Sequence, residues 1–337
     1  MTVSIRTADT EDIPAIIALL LDDARERETL NSHLWAVAPD AVARLTASLS
    51  TISTASAGPV RHHWLLAEKD GVLAAVAHGV NMPPPPIIDL DGGTAGVLVD
   101  DCHFPVDPSV SAPLLAAVER DMAEAGAMLF VAASPAGWEE RTAFFAGRGY
   151  EATTLYMAKT GLEADEPSGE ARPATAADLP GLVGLSAQHR ALLRRLNGHF
   201  WNTHSEADQR FAVWMTMSLA MPDRSMFVSG PPDAIEGYII AQPGSPVLLP
   251  ASVDATRVGL IDDFYAPGFD SDGLGVRRAD TAQALLTAAE GAFQGRGMDT
   301  VLAICPAGAS AKAETLRAAG YATANLWMVK TSSSRVR

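Results

Sequence analysis

The 337-residue sequence predicts an α/β fold with a mixed sheet, built twice in tandem. At about 150 residues per domain, this length implies two domains. Hydrophobic residues make up 48% of the chain, which predicts a large core and excludes a disordered protein. The internal repeat and the order of the predicted elements, described next, supply the rest of the prediction.

The chain repeats itself in a collinear series of blocks. RTADTEDIPAI (6–16) matches RPATAADLPGL (172–182), and LNSHLW (30–35) matches LNGHFW (196–201) at the same offset of 166 residues. Further on, LVDDCHFP matches LIDDFYAP, and near the ends GYEATTLYMAKT matches GYATANLWMVKT. The offset changes twice, both times where Gly and Pro cluster as loops do. The sequence therefore predicts a tandem duplication, with an N-terminal domain at 1–160, a linker at 161–171 and a C-terminal domain at 172–337.

Each copy reads as strand, helix, hairpin, strand, helix, strand, helix and strand. Asp9-x-x-Asp12 and Thr175-x-x-Asp178 resemble capping boxes that open the first helix of each copy. Residues 62–80 and 226–242 read as hairpins with turns rich in Gly and Asp. Since these hairpins precede the first strand–helix–strand crossover, the sheet is predicted to be mixed, not doubly wound.

Charge and composition exclude several classes of protein. Lys and Arg number 25 and Asp and Glu 40, a net charge of −15, which argues against a nucleic-acid partner. The acidity would suit a cationic amine substrate or reflect a solvated acidic surface. No apolar run approaches a membrane span, and the start of the chain is acidic where a secretory signal is apolar. Cys102 and Cys305 are too few for a disulfide framework or a zinc site. We expect a cytoplasmic protein with no metal and no membrane partner.

The segments LIDDFYAP, RRADTAQALLTAAE and the two Gly-Tyr ends resemble two GNAT-superfamily acyl-CoA N-acyltransferase domains in tandem. The chain is similar in this to mycothiol-synthase-like two-domain acetyltransferases. The resemblance implies transfer of an acyl group, typically acetyl, from acyl-CoA to a small primary amine. The second copy is the candidate active domain and the first copy a degenerate one. The alternative is a catalytically inactive pair of GNAT folds that binds a small ligand or a protein partner.

The resemblance also implies where acetyl-CoA or another acyl-CoA binds. The family holds the pyrophosphate on backbone amides of a [Q/R]-x-x-G-x-[G/A] loop at a helix N-terminus, where exposed N–H groups attract an anion. Residues 277–282 match this pattern at both ends, with Asp280 at the Gly position. Residues 106–111 of the first copy have neither the basic residue nor the Gly. The implied cofactor-binding residues are Phe264, Ala266, Arg277, Arg278, Ala279, Thr281 and Ala282.

An ammonium must lose a proton before it attacks a thioester, and the resemblance implies an acid on the fourth strand for that task. Asp262 and Asp263 hold those positions, as Asp100 and Asp101 do in the first copy. Since strand neighbours face opposite sides, only one of each pair is expected to face the cleft. A structural acid with a buried partner is the alternative reading.

The family's usual general acid is missing from both copies. Phe145 and Leu316 stand where the resemblance implies a Tyr four residues before the Gly-Tyr pair. Another donor would then have to protonate the leaving thiolate. We expect Tyr265, if it faces the cleft, or water to do so.

The repeated Leu-Asn-x-His-x-Trp element has two possible roles. His199 and Trp201 are candidate substrate-binding residues, with His33 and Trp35 as their counterparts, since the family covers its acceptor pocket with this region. Alternatively, Asn and His cap a helix and Trp fills the core. The run Pro83–Pro86 is a stiff connection that either lids the pocket or forms a plain loop.

Overall fold

The computed structural model describes residues 2–53, 59–162, 171–245, 247–269 and 276–332. Within them lie twelve strands and eight α-helices, and the strands follow the order that the sequence predicts. The strands are β1 (Val3–Thr7), β2 (Arg61–Lys69), β3 (Val72–Met82), β4 (Thr94–Leu98), β5 (Ala127–Pro135), β6 (Glu151–Thr160), β7 (Ala171–Pro173), β8 (Ser225–Ser229), β9 (Gly237–Pro243), β10 (Val258–Tyr265), β11 (Thr300–Pro306) and β12 (Ala322–Thr331).

Each copy has one helix that the sequence did not predict. The helices are α1 (Ile13–Leu30), α2 (Ala41–Leu49), α3 (Pro108–Glu124), α4 (Glu139–Ala146), α5 (Leu179–Leu196), α6 (Ala207–Ser218), α7 (Val276–Gln294) and α8 (Ser310–Ala318). The unpredicted helices are α2 and α6, which follow the repeated Asn-x-His-x-Trp turn. Most of the predicted linker, residues 163–170, lies outside the described residues.

The predicted capping boxes form in both copies, and an ion pair supports each one. Asp12 and Asp178 accept from the backbone of the N-cap residue three positions earlier. Each of these aspartates also accepts two hydrogen bonds from an arginine on the preceding strand, Arg6 or Arg172. A bidentate pair of this kind is stronger than a single neutral hydrogen bond. The pair therefore fixes the angle at which the first helix leaves its strand.

The two copies share one continuous twelve-stranded sheet. Its order is β1-β2-β3-β4-β5-β12-β6-β11-β10-β9-β8-β7. The pairs β4·β5 and β10·β11 are parallel and the other pairs are antiparallel, which confirms the predicted mixed sheet. At the centre the copies exchange their last strands: β12 of the second copy lies between β5 and β6 of the first. Likewise β6 lies between β12 and β11.

Two glutamates, Glu290 buried and Glu119 partly buried, hold the exchanged strands. Glu119 on α3 accepts from the Tyr150 hydroxyl of its own copy at 2.7 Å and from Lys330 on β12 of the other copy at 2.7 Å. Glu290 on α7 makes the equivalent bonds to Tyr321 at 2.8 Å and to Lys159 on β6 at 2.7 Å. The repeated Gly-Tyr and Met-x-Lys-Thr motifs thus meet at one carboxylate in each copy.

Among the described residues, none of the helices combines the length and the apolar character that a membrane crossing requires.

Replacing Glu290 by Ala should lower the free energy of unfolding by about 2–4 kcal/mol, because it leaves the partly buried Lys159 ammonium and the buried Tyr321 hydroxyl without their acceptor. The loss should appear in a single urea transition followed by tryptophan fluorescence, since both copies share the sheet. Glu314→Ala, at an exposed position on α8, is the matched control. Two separate transitions would contradict the shared-sheet arrangement.

Candidate active site

A cavity of 390 Å³ lies along one face of the shared sheet, under helices α5 and α6. Eight neighbouring strands line it, from β3 to β9 in the order of the sheet, seven of them with one or two side chains and β10 with three. The strand residues are Met82, Ala95, Val97, Leu129, Val131, Trp327, Thr154, Tyr156, Ile304, Pro306, Leu260, Asp262, Asp263, Ile240 and Gln242. The cavity therefore crosses from the first copy into the second.

A β-bulge in β10 brings two acidic neighbours to the same cavity. The pairing of β10 with β9 shifts register between Ile261 and Asp263, so Asp262 is an extra residue. Strict alternation predicted that only one of Asp262 and Asp263 would face the cleft, but both line the cavity. A bulge breaks alternation in this way and is common beside active sites. In the first copy Asp100 and Asp101 follow the end of β4.

Asp263 joins a tyrosine and a histidine into one hydrogen-bonded chain. Its Oδ2 accepts from the Tyr238 hydroxyl at 2.8 Å, and its Oδ1 lies 2.9 Å from Nδ1 of His189 on α5. A carboxylate at Nδ1 holds the proton there and leaves a lone pair on Nε2. Within the part of the chain that the structure describes, His189 Nε2 has no hydrogen-bond partner. His189 lines the cavity, and the hydrogen-bonded chain ends at its buried Nε2, a basic nitrogen.

The surroundings set the charge state of this pair. Burial lowers the pKa of His189, against the opposing attraction of Asp263. Burial alone would raise the pKa of Asp263, but His189, Lys312 and the Tyr238 hydroxyl together lower it. At neutral pH the pair is thus a carboxylate and a neutral imidazole, which is the state a general base needs.

Asp262 has different surroundings. Burial, with a smaller contribution from the neighbouring Asp263, raises the pKa of Asp262 to about 6 against the opposing effect of Arg224. Arg224 Nη2 is 4.0 Å from the Asp262 carboxylate, and the same guanidinium also binds Gln242. Asp262 is thus a weakly paired acid on the cavity wall.

A buried lysine completes the polar end of the cavity. Lys312 on α8 is 2% exposed and donates from Nζ to the backbone carbonyl of Phe264 at 2.8 Å. Burial lowers the pKa of Lys312. Its ammonium also lies 5.5 Å from the centre of the Phe264 ring. Lys312 lines the cavity together with Asp262, Asp263 and His189.

The predicted cofactor-binding residues lie where β10 leads into α7. Parallel pairing of β10 with β11 ends at Ile261 and Ala303, and beyond that point the two strands separate. Helix α7 begins at Val276 and has no acid in its first turn, while Asp280 is the fifth residue of the helix. This start therefore fits an anion better than the motif alone suggested.

The predicted residues differ in exposure. Arg278 and Ala279 are exposed, Thr281 is half-buried, and Phe264, Ala266 and Ala282 are fully buried. The side chain of Arg277 and residues 270–275 lie outside the described part of the structure.

Tyr265 does not line the cavity. It is 3% exposed, stacks on His189 with ring centres 5.0 Å apart, and packs edge-on against Phe269. Tyr265 was the expected proton donor only if its side chain faced the cleft, and its position on β10 places the side chain elsewhere.

The Asn-x-His-x-Trp turns divide between the two predicted roles. Asn31 and Asn197 end helices α1 and α5, and each side-chain oxygen accepts two backbone N–H groups of the turn. Trp201 lines the cavity, whereas Trp35 is buried at 1% exposure. His199 lies outside this cavity, beside a smaller pocket that Asn197 and Glu151 also line. His33 is exposed.

The position of the proline run agrees with the interpretation that it covers the pocket. Pro83, Pro84 and Pro85 line the cavity, and the following residues are hydrogen-bonded to the second copy. Ile88 forms a bridge with Thr203, and His204 N donates to the Ile87 carbonyl at 2.9 Å. The first copy thus covers a site of the second.

In the first copy the equivalent space is filled by side chains. Arg27, at the position of Leu193, is 1% exposed and donates to Asp100 at 2.7 Å. The Arg27 guanidinium lies 5.2 Å from the ring centres of both Trp35 and Trp138. The second copy has Ala309 where the first has Trp138. Among the described residues, Asp262 and Asp263 line the 390 Å³ cavity and Asp100 and Asp101 do not, and these substitutions account for the difference.

Sequence reasoning missed His189, Tyr238 and Lys312. They lie on three separate elements, α5, β9 and α8, and none belongs to a repeated block. Their counterparts in the first copy are Asp23, Val76 and Arg141, so the repeat gave no signal for them. The described residues contain no group of three or more His, Cys, Asp or Glu side chains that could hold a metal ion.

No protein-family model and no curated protein matches this sequence. Among solved structures, the chain is similar to a tandem GNAT protein from the clavulanic acid biosynthesis pathway, with a TM-score of 0.50 and 12% identity over 98% of both chains. It is also similar to a GCN5-related N-acetyltransferase from Sphaerobacter thermophilus, with a TM-score of 0.53 and 16% identity over 98% of this chain and 95% of that one. The chain therefore has a tandem GNAT fold, which confirms the fold that the sequence predicted.

Replacing Arg27 by Leu, the residue at the equivalent position of the second copy, should cost about 3–5 kcal/mol of unfolding free energy, because Asp100 and Asp23 lose their buried counter-ion. Arg25→Leu on the same helix removes an exposed pair with Asp22 and should change stability by less than about 0.5 kcal/mol. Urea denaturation measures both. Equal effects would contradict the structural role given to Arg27.

Replacing Asp262 by Asn should stabilise the protein at pH 8 but not at pH 4. The pKa of Asp262 is raised to about 6 in the folded state, so its ionisation opposes folding above that pH and has no effect below the unfolded pKa. The gain at pH 8 should reach at most about 3 kcal/mol. Urea midpoints at both pH values test this, with exposed Asp223→Asn as the control for one lost charge. An equal gain at both pH values would show that the pKa is not raised.

Proposed function

We propose that this protein is an acyl-CoA-dependent N-acyltransferase that acts on a small-molecule amine, with its chemistry in the second copy. The observation that carries the proposal is the Tyr238–Asp263–His189 chain beside the cavity, at the point where β10 and β11 separate. The tandem GNAT fold of the solved neighbours supports the same class of reaction. We retain 1–160 and 172–337 as the two units of this proposal.

His189 is the proposed general base. An amine enters as an ammonium and must lose a proton before its nitrogen can attack a carbonyl carbon. The Nε2 atom of a neutral imidazole accepts that proton, and the Asp263 carboxylate stabilises the imidazolium that forms. The Tyr238 hydroxyl keeps Asp263 oriented toward His189. Asp263 and Tyr238 are therefore positioning residues in this scheme.

Asp262 is the proposed counter-ion for the arriving ammonium. It lies on the same wall as His189, and its only ion pair among the described residues is the 4.0 Å contact with Arg224. A cation placed beside Asp262 would restore the ionised form that burial disfavours. This gives the two adjacent aspartates different tasks.

Lys312 is the proposed proton donor for the leaving thiolate. It is a buried ammonium on the cavity wall whose pKa is lowered by burial, so it releases a proton more readily than an exposed lysine. It lies at the position where β10 and β11 have separated, through its bond to the Phe264 carbonyl. Lys312 replaces Tyr265 in this role because Tyr265 does not line the cavity.

The described residues at the start of α7 suit the phosphate groups of an acyl-CoA co-substrate. The helix N-terminus and exposed Arg278 supply positive charge, and the first turn carries no acid. When bound, the thioester would supply the activated acyl carbon, and every proton transfer above is made by this chain's own residues.

His189→Gln should lower kcat by about 10²–10⁴-fold, because an amide cannot accept the proton of an ammonium. The assay follows thiol release from acetyl-CoA with a thiol-reactive dye, using a panel of primary amines. Cys102 and Cys305 are both buried, so the protein itself should react slowly with the dye. His63→Gln, a histidine of the first copy that binds Asn81, is the matched control and should retain activity.

The pH profile provides a second readout. Because the pKa of His189 lies below its ordinary value, protonation of its imidazole should lower kcat/KM on the acidic side. His189→Gln should remove that contribution, while Asp262, with a pKa of about 6, and Lys312, with a lowered pKa, should still give an acidic and a basic limb. Absence of amine-dependent thiol release with every amine, together with no binding of acetyl-CoA by calorimetry, would overturn the proposed function.

A further inference from the structure

The cavity is divided chemically between the two copies. Residues 82–131 of the first copy contribute eleven lining side chains, and all of them are apolar. Every ionisable side chain on the wall other than the Tyr156 phenol comes from the second copy: His189, Arg190, Arg224, Asp262, Asp263 and Lys312. The wall is thus apolar at one end and charged at the other.

The division follows the order of strands in the sheet. Val97 lies on β4 and Asp262 on β10, with four strands between them. At an interstrand spacing of about 4.8 Å, the two ends of the cavity are roughly 24 Å apart along the sheet. A volume of 390 Å³ spread over that length describes a long, narrow space. Such a space fits an extended molecule better than a compact one.

The apolar end of the cavity is formed by side chains that pack together in the core. Val97, Leu129 and Val131 belong to one buried apolar cluster, which Phe200 and Trp327 of the second copy extend. The proline run closes it from the other side with Pro83, Pro84 and Pro85. Water gains no hydrogen bonds from these side chains, so an apolar group that replaces it is favoured.

The charged end selects the head group. Asp263 and Asp262 are the two acids of the wall, and within the described ranges the one ion pair of Asp262 is the 4.0 Å contact with Arg224. Arg190 is already paired with Asp208, and Lys312 is bound to the Phe264 carbonyl. His189 presents an acceptor nitrogen without a partner among the described residues. An ammonium satisfies this set better than a carboxylate does.

We propose that the acceptor is an amphipathic primary amine, whose ammonium lies at Asp262 and His189 and whose extended apolar body lies against the first copy. This inference deepens the proposed function and rests on its amine acceptor. It also gives the first copy a function, because its strands and proline run form the part of the cavity that selects the substrate for a reaction carried out by the second copy.

The test is direct binding, without any CoA, of n-butylamine, n-hexylamine and n-octylamine by isothermal titration to the full-length protein. Affinity should rise about three- to fourfold for each methylene that enters the apolar end. 1-Octanol and octanoate should bind at least tenfold more weakly than n-octylamine. Equal affinities along the amine series, or tighter binding of octanoate, would overturn the inference.

Two variants locate the ligand. Ala95→Leu narrows the far end of the cavity and should weaken n-octylamine at least fivefold while leaving n-butylamine unchanged. Ala74→Leu, at a half-buried alanine of β3 that does not line the cavity, is the matched control. Asp262→Asn should weaken every amine and leave 1-octanol unchanged. Loss of octylamine binding in the Ala74 variant as well would contradict the assigned position.

These measurements separate the two proposals. Chain-length-dependent binding without amine-dependent thiol release would overturn the acyltransferase function and leave the ligand class standing. Thiol release with short amines, with no gain in affinity from longer chains, would overturn the proposed ligand class and leave the acyltransferase function standing.

Discussion

The carboxylates of Glu119 and Glu290 hold the arrangement on which the rest of the structure depends. Each accepts from a tyrosine of its own copy and from a lysine on the strand that the other copy has inserted. Loss of either partner would leave a carboxylate that is largely shielded from water without its donor, so the exchange of β6 and β12 and the packing of α3 and α7 are coupled. One sheet results instead of two, and with it one continuous face on which a cavity can extend across both copies.

Two local departures from regularity turn that face into a site. The bulge at Asp262 brings two acids to the same side of β10, and the separation of β10 from β11 lets Lys312 reach the Phe264 carbonyl. Neither feature follows from residue spacing, since strict alternation would have placed one aspartate on the far side of the sheet. The chain from Tyr238 through Asp263 to His189 depends on this bulge, because it sets where Asp263 meets α5.

The fold could be predicted from the sequence because the evidence for it is repeated. The capping residues Asp12 and Asp178, the hairpins and the mixed strand order all appear twice, and each is a local pattern with a physical cause. The exchange of β6 and β12 could not be predicted from the sequence, because the residues of each strand would suit a position beside the strands of either copy. The site was mostly missed for the opposite reason. The second copy differs from the first at the positions that form the site: His189, Tyr238 and Leu193 replace Asp23, Val76 and Arg27. A comparison of the repeated blocks does not detect residues that differ between the copies.

The electrostatics of the two adjacent aspartates connect the fold to the proposed chemistry. The same strand gives Asp262 a raised pKa, of about 6, and Asp263 a lowered one, because only Asp263 receives the Tyr238 hydroxyl and the His189 imidazole. Neighbouring acids whose pKa values are pushed apart are suited to different tasks. Asp263 is proposed to orient a base, whereas Asp262 would gain from a cation, since in the described part of the chain its one cationic partner is Arg224 at 4.0 Å. The net charge of −15 attracts cations toward such a site.

In the first copy the equivalent aspartate already has a cationic partner within the protein, because the Arg27 guanidinium pairs with Asp100. The position that an arginine fills in one copy is therefore the position that an ammonium ligand is proposed to fill in the other.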